Sequence, residues 1–183
     1  MASRCVTAKR QHRHRRKAPL PPVAARPRTE LTVERDAASG GWRLVHPRCA
    51  RDRALDLEEV DAMLAAGEAD VARDELRWLL EDCPDFLAAH QKLGEIATEH
   101  DDPRLARAHF GHVFDLVRKA LSAAAHADSL LYELPENHAA HESGKGLAWS
   151  LRQLGEAALA REVVEQLLRW DPSDPLGVGA WRE

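Results

Sequence analysis

The sequence predicts an all-α protein built from repeated helical hairpins, and three observations lead to this fold class. Alanine and leucine are abundant and aromatic residues make up only 5% of the 183 residues, a composition that favours helices over sheets. Apolar residues recur at helical spacing on both sides of a turn signal at 100–103. Small and apolar residues then recur at fixed distances along the chain, which is the mark of repeated units.

The hairpin around that turn is the clearest unit. Its first helix carries a Leu-Gly pair at 93–94, and its second carries Ala106 followed by Phe110. Equivalent alanines stand upstream at Ala72 and downstream at Ala160. The interval from Ala72 to Ala106 is one repeat period, and the longer interval from Ala106 to Ala160 is one period plus an insertion. Three hairpins are therefore expected.

This pattern resembles the tetratricopeptide repeat, a unit of about 34 residues in which a Leu-Gly pair in the first helix and Ala-x-x-x-Phe in the second are followed by proline. The resemblance implies that Gly94 allows close helix approach and that Phe110 fills the space between hairpins. Gly144 and Gly146 likewise predict close approach of a neighbouring helix. The chain departs from the family where tryptophan is usual, at Asp56, His90 and Gly144. A generic set of helical hairpins is therefore the alternative.

The domain organisation follows from the repeat spacing. A helical repeat domain is expected over 53–183, after an irregular or weakly β-hairpin lead-in at 29–52. The expected parts of the domain are repeats at about 53–86, 87–120 and 141–174, an insert at 121–140 and a C-terminal cap at 175–183. Three repeats are near the minimum for a stable structure of this kind, so pairing with another copy or a partner is also expected.

Residues 1–28 form a basic, proline-rich tail that is predicted to be disordered, because it holds nine Lys or Arg residues, no acid and little that can be buried. The rest of the chain has 17 basic and 30 acidic residues, a net charge of −13. The tail indicates an alternative function in non-specific nucleic-acid binding through phosphate contacts. The residues that would carry it are Arg10, Arg13, Arg15, Arg16 and Lys17. A solvated leader or a translation start further downstream are the competing interpretations.

The cysteines and the hydropathy pattern bear on location. Cys5, Cys49 and Cys83 are odd in number and far apart, and no CxxC pair is present, so free thiols in a reducing compartment are expected. No apolar run approaches the roughly 20 residues of a membrane helix. The basic N-terminus is not followed by the apolar stretch of a secretory signal. A cytoplasmic location without membrane association is the prediction.

No enzyme activity and no cofactor are expected. The histidine pairs His109/His112 and His138/His141 are each spaced to share a helix face, but neither has a recognisable third ligand, so no metal site is predicted. The sequence contains no Walker, Rossmann or HExxH motif and no nucleophile at recognisable base spacing.

The function that the resemblance implies is protein–protein interaction. In the family, the first helices of successive hairpins line a concave groove that binds a peptide or helix of a partner. The residues expected to line it here are Asp61, Gln91, Glu95, Glu99, Lys145, Trp149 and Arg152. Trp149 with Arg152 is a pair of residue types enriched at binding hot spots, and packing of Trp149 on the insert or the cap is the alternative. The acidic middle of the groove favours a basic partner, and the chain's own tail is one candidate.

Overall fold

The structure is a computed structural model that describes residues 30–124 and 129–182, so the predicted disordered tail lies outside the described residues. Within them the chain is mostly helical, with one two-stranded sheet. In chain order the elements are β1 (Thr32–Arg35), β2 (Trp42–Val45), α1 (Arg48–Asp52), α2 (Ala54–Ala65), α3 (Ala69–Asp82), α4 (Leu87–Glu99), α5 (Pro103–Ala123), a 3₁₀ helix (Pro135–Asn137), α6 (His138–Gln153), α7 (Ala157–Trp170) and a second 3₁₀ helix (Val178–Trp181). None of the described helices is both long and apolar enough to cross a bilayer.

Three pairs of helices form hairpins with equivalent turns: α2 with α3, α4 with α5, and α6 with α7. Each turn contains one residue in the left-handed region, with φ of 79° at Gly67, 55° at Asp101 and 77° at Gly155. Glycine adopts this conformation freely, and aspartate is among the few other residues that tolerate it. The intervals between the three turns are the same as those between the alanines of the sequence pattern.

The small residues of the pattern lie at helix contacts. Ala72, Ala106 and Ala160 are all buried. The ring of Phe110 lies between α4 and α6, where an added Cβ at Gly94 or at Gly146 would be 2.5 Å from a ring carbon. A Cβ at Gly144 would similarly be 2.6 Å from Leu167. The prediction of close helix approach at these glycines is confirmed.

The apolar interior consists of two clusters. The first joins α1, α2 and α3 to one side of α4. The second is larger and joins α5, α6 and α7 to the β-hairpin, residue Leu130 and the C-terminal segment. Helix α4 contributes to both clusters and therefore connects the two parts of the molecule.

The segment between α5 and α6 holds the β-hairpin in place. Asn137 is fully buried: its side-chain oxygen accepts from the Leu44 N–H at 2.9 Å, and its amide donates to the carbonyls of Trp42 and Leu131 at 2.9 and 2.8 Å. The Leu130 N–H donates to the carbonyl of Trp170, the last residue of α7, at 3.0 Å. Helix α5 extends to Ala123 and α6 starts at His138, so both helices reach into the expected insert 121–140.

Cys49 and Cys83 form a disulfide, with their Cα atoms 5.7 Å apart. The expectation of free thiols is therefore wrong for these two residues, and Cys5 lies outside the described part. The pairing was hidden because 34 residues separate the cysteines, whereas the fold brings α1 beside the end of α3. Disulfides are uncommon in reducing compartments, so the bond removes the support that the cysteines gave to a cytoplasmic location.

The C-terminal segment covers the end of the last hairpin. The Asp174 carboxylate accepts from the backbone N–H groups of Val178 and Gly179 at 2.8 and 2.9 Å, which fixes the second 3₁₀ helix. Val178 is buried, and Trp181 is partly buried against the larger cluster. The segment thus shields apolar side chains of α7 that would otherwise face solvent.

Candidate interaction surfaces

Helices α2, α4 and α6, the first helices of the three hairpins, carry all seven of the predicted groove residues. On α4, Gln91, Glu95 and Glu99 are four residues apart and therefore lie on one helix face. Glu142, Lys145 and Trp149 are three and four residues apart and share a face of α6, and α4 packs directly against α6. We call the surface formed by Asp61, Gln91, Glu95, Glu99, Glu142, Lys145 and Trp149 the acidic face.

One ion pair crosses between helices on this face. The Lys92 ammonium group contacts the Asp61 carboxylate, and so joins α4 to α2. The lysine side chain is only 18% exposed, whereas that of Asp61 is 56% exposed. Asp61 is therefore already engaged with a cation of the same chain, and the negative charge left over on this face lies on α4 and α6.

Glu95 lies at the centre of that charge. The residue has exposed surface, but its carboxyl group is held among neighbouring side chains, and this desolvation raises its pKa. A hydrogen bond from Gln91, 2.7 Å long, and the nearby Lys92 act in the opposite direction. Repulsion from Glu142 and Glu99 raises the pKa further. The carboxylates of α4 and α6 are thus close enough to repel one another.

The insert fixes one of these carboxylates. The Tyr132 hydroxyl donates a 2.7 Å hydrogen bond to Glu142, and this bond raises the pKa of the tyrosine. The Tyr132 ring stacks on His138 with centroids 4.4 Å apart, and its backbone N–H donates to Asp171 at 2.9 Å. Glu142 is consequently held in place from outside its own helix, which is a condition for a preorganised binding surface.

The predicted pair of Trp149 and Arg152 lies three residues apart on α6. Trp149 is half-buried, while Arg152 is exposed and donates to the Trp181 carbonyl at 3.1 Å. The guanidinium group therefore binds the C-terminal segment. Of the seven predicted residues, Gln91, Glu95 and Glu99 share a face of α4, and Asp61 is linked to α4 through Lys92. Lys145 and Trp149 lie on α6, which packs against α4, and Arg152 of α6 also contacts the C-terminal segment.

A cluster of three histidines lies between α4 and α5. His90 Nδ1 is 3.2 Å from His109 Nδ1, and the His90 ring centroid is 4.4 Å from that of His112. Burial, followed by repulsion from His112, lowers the pKa of His90 to about 4, so the ring is neutral at pH 7. Within residues 30–124 and 129–182, no group of three His, Cys, Asp or Glu side chains is placed to hold a metal ion.

The second predicted histidine pair has structural contacts. His141 is buried, and its Nε2 lies 2.7 Å from the Leu130 carbonyl, to which it donates as a neutral ring. Burial lowers the pKa of this histidine, which favours the neutral form. His138 stacks on Tyr132, as described above. The two residues thus position the insert against α6.

A separate cleft of about 370 Å³ lies between α5 and α7. Its apolar lining residues are Phe114, Leu147, Leu151, Leu159 and Val163, of which Leu159 is 43% exposed. Charged residues of both signs border it. Sequence reasoning missed this cleft because its walls come from helices that are adjacent only in the fold. It also missed the contact between Tyr132 and Glu142. These residues are ten positions apart, and one precedes α6 whereas the other lies on it, so no helical spacing relates them.

No protein-family model matches the sequence, and comparison with curated proteins gives no match.

Proposed function

We propose that the protein is a helical-repeat interaction module similar to the tetratricopeptide repeat. Equivalent left-handed turns at Gly67, Asp101 and Gly155 support this proposal, as do equivalent buried alanines at Ala72, Ala106 and Ala160. Packing of Phe110 against glycines of two successive first helices is the contact that the repeat pattern requires.

We further propose that the acidic face binds a basic segment of a partner protein. The observation that carries this is the placement of Glu95 beside Glu142 of the neighbouring helix and Glu99 of its own: burial raises the pKa of Glu95, and repulsion from these two carboxylates adds to the rise. A lysine or arginine of a partner placed among these carboxylates would relieve the repulsion and form charge-assisted hydrogen bonds. Trp149, half-buried on the same face, offers apolar surface for a residue next to the basic one.

The test is a peptide array of synthetic twelve-residue peptides that vary in Lys and Arg content, probed with the labelled full chain. Peptides combining basic and apolar residues should be retained, and an E95K/E142K variant should lose them. The matched control is E68K/E81K, which changes the net charge by the same amount. Glu68 directly precedes α3, Glu81 lies on it, and both residues are exposed. Loss of binding in both variants alike would mean that net charge, rather than this face, is responsible.

Nucleic-acid binding through the basic tail is the second candidate, favoured by nine basic and no acidic residues in 1–28. Capture from a cell extract separates the two. Protein capture that survives removal of residues 1–28 and is lost in E95K/E142K supports the acidic face. Capture that is nuclease-sensitive, lost with the tail and unchanged in E95K/E142K supports the alternative.

A further inference from the structure

The cleft between α5 and α7 has an order of charges that bears on what it can bind. The polar and charged side chains that α7 presents to it are Glu162, Glu165, Gln166 and Arg169, in that order along the helix. With Leu159, three of them have the i, i+3, i+7 and i+10 spacing of one helix face: Glu162, Gln166 and Arg169. The charge along this face therefore changes from acidic near the start of the helix to basic near its end. A second helix of the same kind, running in the opposite direction, would place opposite charges next to each other.

On the facing wall Arg107 is paired with Glu156, and the charged lining residues further along α5 are Asp115 and then Arg118, so the charge again changes from acidic to basic. An ion pair of 2.5 Å between Arg107 and Glu156 joins the beginnings of α5 and α7, so the two helices run in the same direction along the cleft. Arg118 of α5 and Arg169 of α7 both line the cleft in the later parts of these helices. Arg169 donates to Gln166 at 2.7 Å, which leaves guanidinium N–H groups for a further acceptor.

We propose that this cleft is the contact between two copies of the chain, related by a two-fold axis near Gln166. Each α7 lies in the cleft of the other copy in antiparallel orientation. Glu162 then faces the basic end formed by Arg118 and Arg169 of the second copy, and the reciprocal contact follows from the symmetry. Leu159, exposed in the single chain, is covered by the same contact.

The contact leaves the acidic face free. Its residues belong to α2, α4 and α6, whereas the charged walls of the cleft belong to α5 and α7. A dimer formed in this way presents two acidic faces at a fixed separation. A partner carrying two basic segments would gain avidity from binding both. The dimer proposal does not depend on that binding, because it is tested without any ligand.

Sedimentation equilibrium of the full chain over a range of concentrations tests the proposal. The wild type should reach a monomer–dimer equilibrium. Glu162→Arg should raise the dissociation constant at least about tenfold, because it places a cation against Arg169 of the second copy. Arg169→Glu should do the same through the reciprocal clash. The double variant E162R/R169E should recover most but not all of the lost affinity, because the 162–169 pairs are reversed whereas Arg118 keeps its charge.

Arg161→Glu is the matched control, because Arg161 is exposed on α7 but does not line the cleft. It should leave the dimer unchanged. Circular dichroism establishes that each variant is folded. The two single variants test the same contact from its two sides, so the proposal does not depend on either variant alone. A chain that stays monomeric throughout would overturn the proposal. So would a dimer insensitive to both single exchanges, or one that the double exchange fails to restore.

Discussion

The first hairpin and the last one are held in the molecule by different means. Helices α2 and α3 pack through apolar contacts and are joined to α1 by the Cys49–Cys83 disulfide. Helices α6 and α7 also pack through apolar contacts, and they are in addition joined to the β-hairpin and the insert by buried polar side chains, chiefly Asn137 and His141. We refer to these as the disulfide-linked region (residues 48–86) and the hydrogen-bonded region (residues 31–46 and 129–181).

The difference has a physical consequence. A buried side chain that satisfies three backbone groups specifies one position for the segments it joins, because any other position leaves those groups unpaired. A disulfide specifies only that two points of the chain stay close, and acts largely on the unfolded state. Surface contacts of the first hairpin, such as Arg53 with Asp56 and Asp82, add little because they are screened by solvent.

The largest expected effect is from Asn137→Ala. The substitution leaves the Leu44 N–H and the carbonyls of Trp42 and Leu131 without their partner, so we expect a loss of about 4 kcal/mol in the free energy of unfolding. Urea unfolding measures it, and hydrogen exchange should show loss of protection at the Leu44 amide. Gln153→Ala, at the exposed end of α6, is the control. A loss below about 1 kcal/mol would contradict the role given to Asn137.

Removing the disulfide should have a smaller and more local effect. Cys49→Ala, made in a Cys5→Ser background to prevent exchange, should cost about 3 kcal/mol, because the bond spans 34 residues. Hydrogen exchange should accelerate in α2 and α3 and remain unchanged in α6 and α7. Equal acceleration in all four helices would show that the disulfide-linked and hydrogen-bonded regions unfold together, contrary to the prediction.

The junction of the two regions is tested by glycine substitutions. Gly146→Ala places a Cβ against the Phe110 ring, and we expect a loss of about 2 kcal/mol. Gly111→Ala is the matched comparison, because its Cβ would meet Leu147 at an ordinary 3.7 Å and alanine favours the helix by up to about 1 kcal/mol. Thermal unfolding of the two variants should therefore shift in opposite directions. Phe110→Leu should partly rescue Gly146→Ala.

Acidification should weaken the contact between α4 and α5. The pKa of His90 is about 4 in the folded protein, below the ordinary value of 6.5, so the unfolded chain binds the proton first. The contribution of His90 to the free energy of unfolding is therefore fully present above pH 6.5 and is lost as the pH falls toward 4. For this partly exposed group we expect about 1 kcal/mol between pH 7 and pH 5. His90→Gln should flatten that part of the pH profile, and an unchanged slope would rule out His90 as its source.

How far the sequence predicts the molecule depends on the kind of contact. The hairpins and the close approach at Gly94 and Gly146 follow a period, so they can be read from spacing. The disulfide and the Asn137 contacts do not follow a sequence period. Leu44 and Asn137 are 93 residues apart, and neither residue belongs to the repeated sequence pattern. Glu142 was missed for the same reason, since its role depends on α4 packing beside α6.

The role of the acidic face is tested most directly by titrating the ¹⁵N-labelled full chain with a synthetic peptide of alternating lysine and leucine and recording amide and indole shifts. We expect shifts concentrated at Glu95, Glu99 and Glu142 and at the Trp149 indole. They should be absent in E95K/E142K and absent with a glutamate–leucine peptide of equal length. Shifts confined to the cleft residues Glu162 and Arg169, or no saturable shifts at all, would contradict this expectation.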